Sequence, residues 1–205
     1  MAETGYSYED DVNATNQLLD KIQEYAPKAD IHYLEGNHER RIEKWCVTTA
    51  LRNGRDAHFL LNKFGAKAEL CLDLRKINFY KQGECYHGLL VPATIKLGKC
   101  FFTHGTATGK YACATHLRKF GNNVVHGHTH RADSHTTRTV ENGTIAAYSP
   151  GCLSNLQPLW NHTNPTEWSH GYGLQVVNAD GQFLHINIPI IDGKSYLQPL
   201  IARLS

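Results

Sequence analysis

Thirteen histidines stand in a chain of 205 residues, and three short clusters place some of them where chemistry is possible. Gly36-Asn37-His38-Glu39 follows the apolar run Ile31 to Leu34, and Thr103-His104-Gly105 follows Cys100 to Phe102. His126-Gly127-His128-Thr129-His130 follows Val124-Val125. Neutral imidazole and an amide oxygen are good ligands for divalent transition ions. In a strand-like His-Thr-His, the period of two points His128 and His130 the same way, toward one ion each or toward a shared one. Glycines at 36, 105 and 127 permit sharp turns and close backbone approach. Singly, each cluster has a plain reading: an Asn-His pair is usually a turn or a helix cap, and His-x-His arises by chance in a histidine-rich chain. Together, each directly behind a strand, they suit the loops beyond strand carboxyl ends where α/β sheets collect ligands.

The elements that must position these clusters are legible as alternating helical and extended patterns. Leu18, Leu19, Ile22 and Tyr25 recur at helical spacing, so Tyr8 to Tyr25 reads as an amphipathic helix with Asp10 and Asp11 at its N-terminal end and Pro27 as its stop. Ile31 to Leu34 reads as a strand, Glu39 to Leu51 and Asp56 to Phe64 as helices. From Glu84 to Thr103 the texture turns to β, punctuated by Pro92 and Gly98. Lys110 to Phe120 returns to a helix that Gly121 ends. The remainder reads as strands: Thr136 to Val140, Thr144 to Tyr148, Leu174 to Val177 and Phe183 to Ile188. Asn142-Gly143 and Asp180-Gly181 are hairpin signals. The fold class is α/β, as a single domain over residues 1–205, with a polar loop from Asn161 to Gly171 that reads as a surface excursion or a mobile flap.

Composition narrows the function. Hydrophobic residues at 41% and charged residues at 20% fit a globular core. A mean hydropathy of -0.44 and the lack of a long apolar run argue against a membrane span. The N-terminus carries no signal-peptide pattern. A net charge of +2 gives no global reason to expect nucleic acid. Cys46, Cys71, Cys85, Cys100, Cys113 and Cys152 form no C-x-x-C pair and read as buried or semi-exposed thiols of a reducing, cytoplasmic compartment.

These clusters resemble the signature of the calcineurin-like metallophosphoesterases. Gly36 to Glu39 matches that family's G-N-H-[DE] block, Thr103 to Gly105 is close to its fourth block, and Gly127 to His130 matches G-H-x-H letter for letter. Ser149-Pro150-Gly151 looks like the small-residue turn that often follows. The resemblance spans roughly Ile31 to Ser154, and its texture is most similar to phage-encoded members. It implies a β-sandwich flanked by helices, lacking its N-terminal β-α-β portion. It implies a metal-dependent hydrolase that cleaves phosphomonoesters or phosphodiesters, a phosphatase or phosphodiesterase, with a metal-activated hydroxide. Asn37, His104 and His128 would bind one divalent ion and His130 the other, manganese by resemblance, with iron, zinc and nickel as alternatives. His38 would be the general acid for the leaving oxygen.

The family's first two blocks, D-x-H and G-D-x-x-D, read as absent, and the 35 residues before the third block leave no room for two strand-loop units. The expectation is therefore a chain needing a missing N-terminal segment, or half of a two-chain enzyme whose partner chain supplies the missing metal ligands. The alternative is a non-catalytic metal-binding or interaction module. Gly105 to Lys110 resembles a P-loop, but its glycines stand one residue too close and Tyr111 replaces Ser/Thr. His126 reads as strand filler or an outer-shell residue, while His116, His135, His162, His170 and His185 have no distinguishing spacing. Arg40-Arg41 reads as a solvated helix surface. Trp45, Trp160 and Trp168 read as packing residues, the latter two flanking the polar loop, where they could stack on a base.

Overall fold

The computed structural model describes residues 7–53, 56–158, 161, 164–195 and 197. They form a mixed α/β protein, and no helix among them is long and apolar enough to cross a membrane. By contact the chain divides into two compact units, Met1–Leu90 and Val91–Ser205. No linker composition marks this boundary in the sequence. The cysteines are free thiols, with Cys46, Cys100 and Cys113 buried and Cys71 and Cys85 exposed.

The first unit opens with α1 (Tyr8–Tyr25), whose N-terminus is fixed by a capping box between Ser7 and Asp10. The apolar repeat read at residues 18, 19, 22 and 25 is not the packed face: Leu19 is buried, but Leu18, Ile22 and Tyr25 are exposed. Half of the packed face is polar. Asn16 Nδ2 donates to Glu69 O (3.0 Å) and Gln23 Nε2 donates to Arg75 O (2.9 Å). The Arg75 guanidinium answers by donating to Asp20 (2.6 Å), Gln23 (3.0 Å) and Asn16 (3.3 Å). Around Leu19 gather Leu70, Leu72 and Ile77, with Val12, Ile31, Tyr33 and Phe79 against them.

β1 (His32–Leu34) leads into α2 (Asn37–Asn53), then α3 (Ala57–Phe64) and the single turn α4 (Ala66–Glu69). β2 (Asn78–Tyr80) pairs parallel with β1. Neither α4 nor β2 is foreshadowed by periodicity, because each is too short to show one. The hairpin of β3 (Glu84–Tyr86) and β4 (Leu89–Val91) turns through His87 and Gly88, both at positive φ.

The second unit is built on a five-stranded sheet. Its strands are β5 (Thr94–Leu97), β6 (Cys100–Thr103), β7 (Asn123–His126), β8 (Ala132–Thr139) and β9 (Gly143–Pro150), in the order β5-β6-β7-β9-β8. β6, β7 and β9 run parallel, and β5 and β8 lie antiparallel on the two edges. Helix α5 (Ala112–Phe120) makes the crossover from β6 to β7 and buries Ala112, Cys113, His116 and Leu117. Gly121 ends it at φ 60°, in the left-handed conformation expected of a C-terminal glycine.

β10 (Gly171–Val177), β11 (Phe183–Ile191) and β12 (Lys194–Ser195) form an antiparallel sheet. The hairpins expected at Asn142-Gly143 and Asp180-Gly181 join β8 to β9 and β10 to β11. Asp192-Gly193, at φ 49° and 71°, adds a further two-residue turn between β11 and β12. From this sheet His185 packs on Tyr148 of β9, with ring centroids 4.3 Å apart. Asn187 Nδ2 donates to the carbonyls of Asp133 (3.1 Å) and Ser149 (3.0 Å), fastening the sheet to β8 and β9.

Candidate functional site

The parallel core of the second unit delivers two of the three clusters to one edge. Thr103 and His126, the last residues of β6 and β7, are in register, so His104 and Gly127 leave the sheet side by side. Gly127 N donates to Thr103 O at 3.3 Å, which ties the two exits together. There His104 Nε2 lies 3.1 Å from His128 Nδ1, the rings edge to face with centroids 5.0 Å apart.

The His-Thr-His segment is not strand-like, and this corrects the period-two expectation. Thr129 N donates to Gly127 O at 2.8 Å, closing a three-residue γ-turn on His128, whose φ is 70°. Turns of this hand are rare and strained. His130 is also left-handed, at φ 58°, and its ring meets Trp168 edge to face at 4.2 Å. His128 and His130 therefore contact different neighbours. Two non-glycine residues at positive φ within three positions persist only where the surroundings over-determine them.

Those surroundings are His126, read from sequence as filler or an outer-shell residue, and His116, which spacing did not single out. His126 Nδ1 donates to Gly127 O (2.9 Å), the same carbonyl that closes the γ-turn. Its Nε2 accepts the Cys113 thiol at 3.3 Å, since burial pushes that thiol up to about 12 and keeps its proton. His116 lies stacked on His126 at 4.1 Å. His116 Nδ1 donates to Ala112 O (2.8 Å), and its Nε2 accepts Thr106 N (3.1 Å), which pins the loop after His104. Burial lowers both imidazoles, His126 to about 4, so both are neutral near pH 7 and their tautomers are set by these bonds. His126 is thus a support for the turn and not mere filler. His116 was findable, because it shares the buried face of α5 with Ala112, Cys113 and Leu117.

On the other side, Ser149 Oγ donates to Arg131 O (2.7 Å) and accepts from Thr129 Oγ1 (3.0 Å). Ser149 and Pro150, read from sequence as part of a turn, are the last residues of β9, and from there Ser149 holds the histidine loop. Arg131 fastens the neighbouring loops, donating to Glu167 (2.6 Å) and to the carbonyls of Thr108 (3.1 Å) and Gly109 (2.8 Å).

Gly105 is tightly enclosed. It sits at φ 87°, and a Cβ there would meet His116 Nε2 at 3.0 Å and His126 Cβ at 3.4 Å. At Gly127 a Cβ would find only ordinary contact, 3.5 Å from His104 O. Gly105→Ala is expected to cost about 1–3 kcal/mol through left-handed strain and displacement of His116. Chemical unfolding measures this, and an unchanged midpoint would remove the steric role given to His116.

Asn37 and His38 belong to the first unit, as the first two residues of α2. Asn37 is half-buried and His38 exposed. Glu39, the last letter of that block, is a structural anchor: it accepts Gly36 N (2.8 Å) as a helix cap and the Tyr33 hydroxyl (2.8 Å). Arg40 is exposed and donates to Gln82, in keeping with a solvated helix face. Trp160 and His162 lie outside the described residues.

The letters D-x-H do occur, at Asp30-Ile31-His32, Asp56-Ala57-His58 and Asp133-Ser134-His135. None follows a strand as the family's block does: the first runs into β1 at its amino end, the second opens α3, and the third lies within exposed β8. Among the described residues, no three His, Cys, Asp or Glu side chains converge as a ready metal site. What the second unit offers is a two-nitrogen clamp of imidazoles, a donor set that suits zinc, iron or nickel. Comparison with protein-family models, with curated proteins and with solved structures returns no match.

Proposed function

We propose that the chain is a divalent-metal-dependent phosphoesterase of the calcineurin-like kind, with His104 and His128 as paired ligands of one ion and His130 as a ligand of a second. The observation that carries this reading is the 3.1 Å spacing of His104 Nε2 and His128 Nδ1. Two nitrogens at about 2.0–2.1 Å from one ion, in tetrahedral or octahedral array, lie about 2.8–3.4 Å apart. The same spacing is an N–H···N hydrogen bond when one ring carries the proton, so an ion would take that proton's place. The backbone strain at His128 and His130 supports a functional loop over a packing loop.

When bound, a divalent ion supplies a Lewis acid for the phosphoryl oxygen and lowers the pKa of a water toward neutrality. The residues' own part is positional. His126 and Ser149 hold the γ-turn so that His128 presents Nδ1, and His116 holds the loop that presents His104. Asn37 as an oxygen ligand and His38 as proton donor to the leaving group enter through the family resemblance. Both stand in the first turn of α2, at the helix end whose dipole favours negative charge. The calcineurin-like sandwich is likewise part of this proposal; the parallel β6, β7 and β9 with their crossover helix support it.

The second reading, a metal-binding or interaction module without catalysis, is favoured because no three His, Cys, Asp or Glu side chains among the described residues are grouped to hold an ion. Hydrolysis of bis(4-nitrophenyl) phosphate and 4-nitrophenyl phosphate with manganese separates the two. The expected result is slow turnover by this chain, abolished by chelator and by His128→Ala. A chain carrying D-x-H and G-D-x-x-D blocks is expected to raise it by completing the ligand set. Manganese binding with no turnover under either condition would select the module, and no manganese binding would sink both.

A further inference from the structure

We propose that the cleft beside His128 takes the flat aromatic group of a phosphate ester and stacks it on Trp168, which makes nucleotides or aryl phosphates the substrate class. The proposal rests on the phosphoesterase reading of His104 and His128. The cleft has a volume of about 240 Å³ and is lined by Thr108, His128, Thr129, Arg131, Glu167 and Trp168. Pockets that engulf a whole small molecule start near roughly 300 Å³. This one accordingly suits a planar portion of a ligand, with the ester group left at His128.

Trp168 sits in an otherwise polar stretch, Asn164-Pro165-Thr166-Glu167-Trp168-Ser169-His170, yet it is firmly placed. Glu167 before it is ion-paired to Arg131 at 2.6 Å. Ser169 after it donates its N–H to His130 O (2.9 Å) and accepts Ala132 N on its hydroxyl (2.7 Å). Both flanking residues are thus fastened to the histidine loop, and the indole is set at 69° to the His130 ring. A preorganised aromatic beside a candidate phosphate centre loses little entropy when a ring stacks on it.

Saturation-transfer NMR titrations of the whole chain with AMP, 4-nitrophenyl phosphate and ribose 5-phosphate test this. The aromatic esters are expected to bind about tenfold more tightly than ribose 5-phosphate, the usual worth of one stacked ring. Trp168→Ala should erase that preference and Trp168→Phe should keep most of it. A preference for AMP alone or for the nitrophenyl ester alone tells the two ligand sources apart. Adenosine, added to chelator-treated protein, reads stacking without metal or phosphate. Its Trp168-dependent binding would stand even if manganese binding failed, which would sink the metal reading alone. Equal binding of AMP and ribose 5-phosphate, or a preference that survives Trp168→Ala, overturns the proposal.

Discussion

His128→Gly is expected to weaken manganese or cobalt binding by more than about 100-fold, beyond the 10–100-fold typical of losing an outer-shell partner, while costing the fold nothing. The two halves of this result come from one feature. His128 is held at φ 70° at the centre of a γ-turn, a conformation that costs an ordinary residue about 1–2 kcal/mol. Glycine adopts it freely, and the relief offsets the roughly 0.4–1 kcal/mol by which glycine favours the unfolded chain. If the pairing with His104 served only to hold loops together, removing it would lower stability instead. Isothermal titration with the metal and chemical unfolding of the same variant, beside His135→Gly on the exposed strand β8 as control, distinguish the cases. Unchanged metal affinity, or a loss of stability with no loss of metal, would refute the ligand role.

Helices and strands that carry their own apolar period were legible in the sequence: α1 falls on the expected residues, and the stretch from Glu84 to Thr103 is β. What escaped was structure stabilised by polar side chains. The packed face of α1 is half amide, and its apolar repeat of Leu18, Ile22 and Tyr25 faces solvent instead. The candidate site shows the same blind spot. Its letters were readable, but the segment was read as a strand because His-Thr-His alternates. The γ-turn that forms instead is made by Gly127 O receiving both Thr129 N and His126 Nδ1. No local preference announces that carbonyl's double duty; it depends on Cys113 and His116 arriving on α5 from 10 or more residues away. Arg131 escaped for a related reason, since its partners lie on loops distant in sequence.

That buried histidine layer carries a second large effect, an acid limit on stability. His126 is neutral in the fold, with burial lowering it to about 4, against about 6.5 when exposed. The unfolded chain therefore takes up a proton as pH drops through 6.5, and the folded chain does not until near 4. Stability is unaffected by this group above pH 6.5 and falls across the window from 6.5 to 4. The loss approaches about 1.4 kcal/mol per pH unit there, or about 3 kcal/mol in all. His116 and His185 are also lowered by burial and act in the same direction. Urea unfolding of the metal-free protein at pH 7.5, 6 and 5 should show a steep decline between the last two. His126→Gln, which cannot take up a proton, should remove about one histidine's share of that slope while lowering stability at pH 7.5, because the Cys113 and Gly127 bonds are disturbed. A stability that stays level from pH 7.5 to 5 would mean that His126 is not held neutral, and the neutral-acceptor role that fixes Cys113 and the turn would go with it.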